Sequence, residues 1–269
     1  MIFYIFSHII INLKLTNFIV NPMIKQDISI NLSKKNISLN ERLIFALDVP
    51  SVHEAKDLVD KLGDAVNFYK LGLELFMAGG YFELLDWIVK QNKKVFVDLK
   101  FFDVPETVKR AVSQLNGRGA SFTTVHGNDN ILKSAVEARE KDLKILAVTV
   151  LTSLDRNDLI DLGFQCNVED LVLSRARRAL EIGCDGVISS GLEAAKLRDN
   201  LGNKFLIITP GIRPVDNKLE DDQKRVATVE KAFQSGADYI VVGRPIKNAK
   251  NPYQKAIEIQ NTIKSLFHK

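Results

Sequence analysis

Val95-Phe96-Val97-Asp98-Leu99-Lys100-Phe101-Phe102-Asp103-Val104-Pro105-Glu106-Thr107 decides how the rest of the chain is read. It opens as an apolar, β-branched run and ends on the loop into a helix. Pro105 suits a first helical turn, where its missing N–H is no loss. Residues two apart on a strand face the same way, so Asp98 and Lys100 point together while Val97 and Leu99 point opposite. Two charges on one face of an apolar strand are costly unless paired or put to use. Asp103 follows in the loop and completes Asp-x-Lys-x-x-Asp. On an arbitrary strand, a structural ion pair would account for the first two; the rest of this chain favours a site.

On either side, apolar runs rich in β-branched residues alternate with helical periods. Strands are expected at 43–48, 67–72, 121–126, 144–150, 185–190, 204–209 and 238–243, besides the one opening at Val95. Helices are expected at about 52–62, 80–91, 105–115, from the fourth strand to about Lys141, then 168–182, 192–200, 229–235 and 252–267. A longer connection, 151–167, carries a short helix at 156–162, and 212–222 is a polar loop. Eight strands alternating with eight helices over about 230 residues predict an α/β fold, a single (β/α)8 barrel. The runs lack strict alternation, as parallel strands covered on both faces do. A doubly wound open sheet competes, but no Gly-x-Gly-x-x-Gly follows the first strand.

The domain reading is a catalytic barrel over 41–269 and an N-terminal extension over 1–40. Met1 to Val20 is rich in Ile and Phe but interrupted by Ser7, His8, Asn12, Lys14 and Asn17, too polar for a membrane span of its length. It also lacks a basic n-region and a small-residue cleavage site. The extension reads as poorly ordered or as an artefact of start assignment, Met23 offering a second start. An interfacial membrane anchor is the alternative, against which stands the lack of a clean amphipathic face.

The 269 residues are 46% apolar and 26% charged, with a net charge of +4. That excess is spread along the chain without a basic run interleaved with aromatics, which argues against nucleic acid as a partner. A small anionic substrate suits it. Cys166 and Cys184 lack metal-site spacing, so reduced thiols in the cytoplasm are expected, with neither a zinc site nor a disulfide framework.

The strand ends carry polar groups: Asp48, Lys70, Asp98 with Lys100, His126, Thr152 with Ser153, Arg213, and Gly243 with Arg244. In a barrel, those ends build the reactive face. Each residue taken singly has an ordinary structural explanation, a helix cap for an Asp or a surface ion pair for an Arg. Their convergence from several strands is what argues for a site. Pro210-Gly211-Ile212-Arg213-Pro214 and Val242-Gly243-Arg244-Pro245 follow the seventh and eighth strands, where barrels commonly hold a phosphate. Arginine's planar fork fits phosphate oxygens.

With these residues in view, 42–266 resembles the orotidine 5'-phosphate decarboxylase family. The resemblance rests on Leu47-Asp48-Val49-Pro50, Tyr69-Lys70-Leu71-Gly72, Asp98 through Thr107, Val125-His126-Gly127 and Leu151-Thr152-Ser153. It continues through Thr209-Pro210-Gly211-Ile212-Arg213-Pro214, Asp222-Gln223-Lys224-Arg225 and Gly243-Arg244-Pro245. It implies conversion of orotidine 5'-phosphate to uridine 5'-phosphate in de novo pyrimidine biosynthesis, with no metal and no organic cofactor. It further implies that Lys100 protonates C6 and that Asp98 lies beside the substrate carboxylate. Lys70 would link Asp48 with Asp98, and a homodimer would bring Asp103 into its partner's site. Asp48, Lys70 and Thr107 would bind the ribose, Thr152 and Ser153 the pyrimidine edge, and Arg213, Gln223, Gly243 and Arg244 the phosphate. Phe102 and Glu106 depart from the family's usual His and Asn. A metal-dependent sugar-phosphate enzyme on the same scaffold and a non-catalytic nucleotide-sensing barrel are the competing functions.

Overall fold

A computed structural model describes residues 31–213 and 226–268. The expectations for residues 1–30, for Pro214 and for Gln223 lie outside the described residues. Eight parallel strands close into one barrel in sequence order: β1 (Leu43–Ala46), β2 (Phe68–Leu71), β3 (Lys94–Phe101), β4 (Ala120–His126), β5 (Lys144–Val148), β6 (Gly186–Ile188), β7 (Leu206–Thr209) and β8 (Tyr239–Val242). β8 returns to β1, with Leu43 opposite Ile240 and Phe45 opposite Val242. The (β/α)8 expectation is met.

The connecting helices are α1 (Val52–Leu62), α2 (Leu73–Ala78), α3 (Tyr81–Lys90), α4 (Pro105–Ser113), α5 (Asp129–Ala138), α6 (Arg156–Asp161) and α7 (Val168–Ile182). They continue with α8 (Ala194–Leu201), α9 (Val229–Gln234), α10 (Arg244–Lys247) and α11 (Pro252–Phe267). Their starts follow side-chain chemistry. Ser51, Asn128, Asn167, Thr228 and Asn251 each accept a hydrogen bond from a backbone N–H in the first turn of the helix that follows. Two short helices, α2 and α10, are absent from the sequence reading. Six and four residues span too few turns for a 3.6-residue period to register. Strands β5 and β6 stop two residues short of expectation, since Thr149, Val150, Ser189 and Ser190 already belong to the loops above the sheet.

Period-two alternation divides the apolar residues into two cores. Outward-facing Phe45, Leu71, Val97, Val125, Ile145, Val187 and Ile207 meet the helices. Inward-facing Ile44, Ala46, Phe68, Phe96, Phe122, Leu146, Ile208, Tyr239 and Val241 fill the barrel. Within the second set, Phe68 packs on Phe122 at 5.0 Å between centroids, and Phe122 on Tyr239 at 5.2 Å. These rings plug the barrel and form a floor. One strand step above it, the inward positions turn polar.

Residues 31–40, grouped with the extension on the sequence, are tied to the other end of the barrel. Asn31 N–H donates to Gln234 O, and Lys35 pairs with buried Asp238 at 3.1 Å. No helix among the described residues is long and apolar enough to cross a membrane.

Candidate active site

The layer above the aromatic floor follows from the strand register. Ala46 is paired with Lys70 and Lys70 with Phe96, so residues two steps beyond the floor positions project into the mouth of the barrel. Lys70 stands two residues after Phe68, Asp98 two after Phe96, and Thr124 two after Phe122. Lys100 continues the inward face of β3, but not by plain alternation. Its φ is +48°, a left-handed backbone uncommon for a side-chain-bearing residue, and the β3–β4 register slips between Val97 and Phe101. The Lys100 N–H donates to Thr124 Oγ1 at 2.9 Å and holds that turn.

Four charges alternate along the wall. Lys70 Nζ lies 3.1 Å from Asp48 Oδ1 and 3.4 Å from Asp98 Oδ2, and Lys100 Nζ lies 3.0 Å from Asp98 Oδ1. Thr124 Oγ1 also donates to Asp98 Oδ1, at 2.8 Å. Burial pushes the Asp98 carboxyl up, but Lys70 and Lys100 together outweigh it and hold the group below the usual carboxylate range. Burial likewise pushes Lys70 down, yet Asp98 and Asp48 outweigh it and raise the ammonium above its ordinary value. Both groups therefore stay charged across neutral pH. Both ends of the series are open, the Asp48 side chain at 52% and the Lys100 side chain at 36% exposed, against 13% for Lys70 between them.

A cavity of about 220 Å³ opens over this wall, and it brings together most of the residues singled out on the sequence. Asp48, Lys70, Asp98, Lys100, Thr152, Arg213, Gly243 and Arg244 all line it. Gly243 is close to β1: a Cβ there would stand 3.3 Å from the Ala46 Cβ and 3.7 Å from Asp48 Oδ2. A side chain at 243 would thus intrude where α10 begins. Ser153, Asp103 and Thr107 do not line the cavity. Asp103 and Thr107 are exposed on the loop and first turn beyond β3, with Asp103 Oδ1 accepting from Val104 N at 2.7 Å.

Two residues of the site escaped the sequence reading. Thr124 holds both Asp98 and the Lys100 backbone; its place midway between Phe122 and His126 on the inward face was the available signal. Lys247 lines the cavity and donates to the Asp48 carbonyl at 2.6 Å from α10, an element the sequence did not announce. Among the described residues, no group of three or more His, Cys, Asp or Glu could hold a metal ion.

Comparison with known proteins agrees with the geometry. The family model described as "Orotidine 5'-phosphate decarboxylase / HUMPS family" matches residues 41–259. The Orotidine 5'-phosphate decarboxylase of Methylococcus capsulatus is 62% identical over 237 residues, covering 88% of this chain and 97% of that protein. The protein of the same name from Nitrobacter winogradskyi is 52% identical, covering 79% of this chain and 88% of its own. Among solved structures, the orotidine 5'-phosphate decarboxylase from Lactobacillus acidophilus superposes with a TM-score of 0.73 at 36% identity, covering 83% of this chain and 99% of that one.

Proposed function

This chain belongs to the orotidine 5'-phosphate decarboxylase / HUMPS family, and from that premise we propose how its residues carry out the decarboxylation of orotidine 5'-phosphate to uridine 5'-phosphate. The chain is a carboxy-lyase of pyrimidine biosynthesis. The single observation that carries the mechanism is the alternating series Asp48–Lys70–Asp98–Lys100 along one wall of the cavity.

The phosphate binds to Arg213, Arg244 and the Gly243 N–H, with Gln223 as a fourth ligand. Asp48 and Lys70 take ribose hydroxyls. Thr152 and Ser153 read the pyrimidine edge. This arrangement sets the substrate carboxylate against Asp98 and C6 against the Lys100 ammonium. The C6–carboxylate bond then breaks, CO2 leaves, and the electron pair stays on C6, where no ring orbital delocalises it. A fixed ammonium aimed at that carbon stabilises the developing charge without reorganising. Lys100 then delivers its proton to C6 and is reprotonated from solvent. Phosphate contacts remote from the reacting carbon align these groups, so binding energy is drawn from a part of the substrate that does not react.

No metal or organic cofactor takes part in this reading. The carboxylates of Asp48 and Asp98 are engaged by lysine ammonium groups at 3.0–3.4 Å, which favours a charge network over a cation site. The working enzyme is a homodimer in which Asp103 serves the partner's cavity, with Thr107 beside it at the ribose. Asp103 stands outside its own subunit's cavity on an exposed loop flanked by exposed Phe102 and Val104, which supports that arrangement. Cys166 and Cys184 are free thiols, in keeping with a cytoplasmic enzyme.

The test is decarboxylation of orotidine 5'-phosphate by purified protein in excess chelator, followed by ultraviolet absorbance. Full turnover is expected. Loss of activity restored by magnesium would favour the metal-dependent sugar-phosphate chemistry, and tight binding without spectral change would favour a sensor.

A further inference from the structure

The loop that carries Asp103 has few tethers. Val104, the N-cap of α4, makes no side-chain hydrogen bond, and among the described residues the Asp103 carboxylate closes back on the adjacent Val104 N–H alone. Phe102 is different. It is 67% exposed, yet its ring lies edge-on to His126 at the end of β4, with centroids 5.3 Å apart and planes at 61°. The same ring stands over Gly127, where a Cβ would come within 3.0 Å of its Cδ2 and Cε2 atoms. Gly127 has a φ of +120°, a conformation L residues avoid, so backbone shape and missing side chain together make a seat for the ring.

The seat matters because of what flanks it. Two residues earlier, Lys100 holds its left-handed turn through Thr124 on the same strand as His126. One residue later comes Asp103. Phe102 is therefore the side-chain anchor between a strained lysine and an exposed carboxylate, and β4 carries both anchoring points. His126 presents an uncharged ring to this contact: burial, Arg175 and Lys100 all disfavour its cation. Its buried Nδ1 has no hydrogen-bond partner among the described residues, so its other contacts leave room for a packing role.

From this geometry we infer that Phe102 is a positioning residue, which acts by seating its ring on His126 and Gly127 and so fixing where Asp103 is presented. The inference rests on the proposed use of Asp103 across the dimer. An exposed aromatic chosen only for packing would have no reason to touch activity through one particular carboxylate, and that difference is measurable.

The experiment is steady-state kinetics on the full chain carrying Phe102→Ala, Phe102→Tyr, Asp103→Ala and the Phe102→Ala/Asp103→Ala pair. Phe102→Ala is expected to lower kcat/KM about tenfold or more, the scale of a sub-ångström to 1 Å misplacement of a reacting group. Phe102→Tyr keeps the ring and retains near-normal activity. In the Asp103→Ala background, Phe102→Ala changes kcat/KM by less than about twofold, because the group it positions is already gone. Asp103→Asn replaces the alanine variant if turnover of the latter is too slow to follow. Wild-type kinetics for Phe102→Ala, or losses that multiply in the pair, would overturn the inference while leaving Asp103 in its role. A silent Asp103→Ala would instead remove Asp103 from the site, and the inference with it.

Discussion

Replacing Lys70 with methionine removes the ammonium between Asp48 and Asp98 while keeping a stem of similar length. The two carboxylates then lose unequally. The Asp48 side chain is 52% exposed and regains water, so its share is small. Asp98 is buried and keeps only Lys100 at 3.0 Å and Thr124 at 2.8 Å. Breaking one arm of a buried ion cluster commonly destabilises by about 3–5 kcal/mol; with a second ammonium and a hydroxyl still in place, about 3 kcal/mol is the expected size. For a chain of this length that lowers Tm by about 6–12 °C. The pH dependence carries a second signature. Asp98 now has a depressed pKa, so its contribution is present above the ordinary carboxylate range and is lost as pH falls through the lower folded value. Lys70 has a raised pKa, so its contribution is present below the ordinary lysine range and is lost as pH rises through the higher folded value. The wild-type network should accordingly be flat across neutral pH. In Lys70→Met, Asp98 loses its largest attractive partner and its pKa rises, so acid destabilisation begins nearer neutrality. Thermal unfolding of both proteins over a pH series reads both effects. A Tm within about 2 °C of wild type, with the acid limb unmoved, would refute the account of the network as a coupled series.

Lys100→Ala should abolish turnover while phosphate-dependent binding of uridine 5'-phosphate survives, measured by calorimetry; near-normal turnover would discard Lys100 as the proton donor. Arg244→Ala should weaken binding of phosphorylated ligands far more than of the corresponding nucleosides; an unchanged phosphate dependence would remove it from the anion site. Thr124→Val strips a buried carboxylate of a hydrogen bond and frees the Lys100 turn, and should cost about 1–3 kcal/mol of stability by urea denaturation together with a fall in kcat. Mixing inactive Lys100→Ala with strongly impaired Asp103→Ala subunits should recover about a quarter of wild-type activity, because half of randomly paired dimers carry one intact site in two. No recovery on mixing would place Asp103 in its own subunit's site or outside any site.

How much of this was legible in the sequence can be judged from particular elements. The eight strands stood out because each is a β-branched run flanked by helical periods. The inner and outer cores then follow from the same alternation that put Asp98 and Lys100 on one face. What alternation could not convey is the turn inside β3. Lys100 reaches the mouth with a φ of +48° and a slipped register, and nothing in Leu99-Lys100-Phe101 announces a left-handed residue. Thr124 was legible in principle, since it shares the inward face with Phe122 and His126. Lys247 was not, because the four-residue α10 that aims it has no period to read. Asp103 and Thr107 lie on the loop and first turn beyond β3, outside the cavity; for Asp103 that agrees with the resemblance, which assigns it to a partner's site, whereas strand alternation does not extend into this loop.

Charge clustering by itself does not mark a site, and this barrel contains its own control. At the opposite end, Asp238 is buried among cations much as Asp98 is. One of its oxygens, Oδ1, accepts from Ser33 and Lys35, and Oδ2 accepts from Arg198 at 2.7 Å and from the Ile207 N–H at 2.9 Å. The Arg198 and Asp238 side chains are 3% and 0% exposed, so that pair is spent on its neighbours, and of the cluster's groups Lys35, 23% exposed, borders a cavity. Such a cluster pins the segment around Lys35, strand β8 and helix α8 to one another, and its carboxylate has no lone pair left facing a cavity. The upper cluster differs in that all four of its charged groups line one cavity, which two arginines also line, and it ends on an ammonium one-third exposed. Incomplete saturation is what separates the proposed catalytic network from the structural one. It follows that substitutions at Asp238 should act on Tm and leave kcat of the folded fraction unchanged, while those at Lys100 should abolish kcat of the folded fraction whatever they do to Tm.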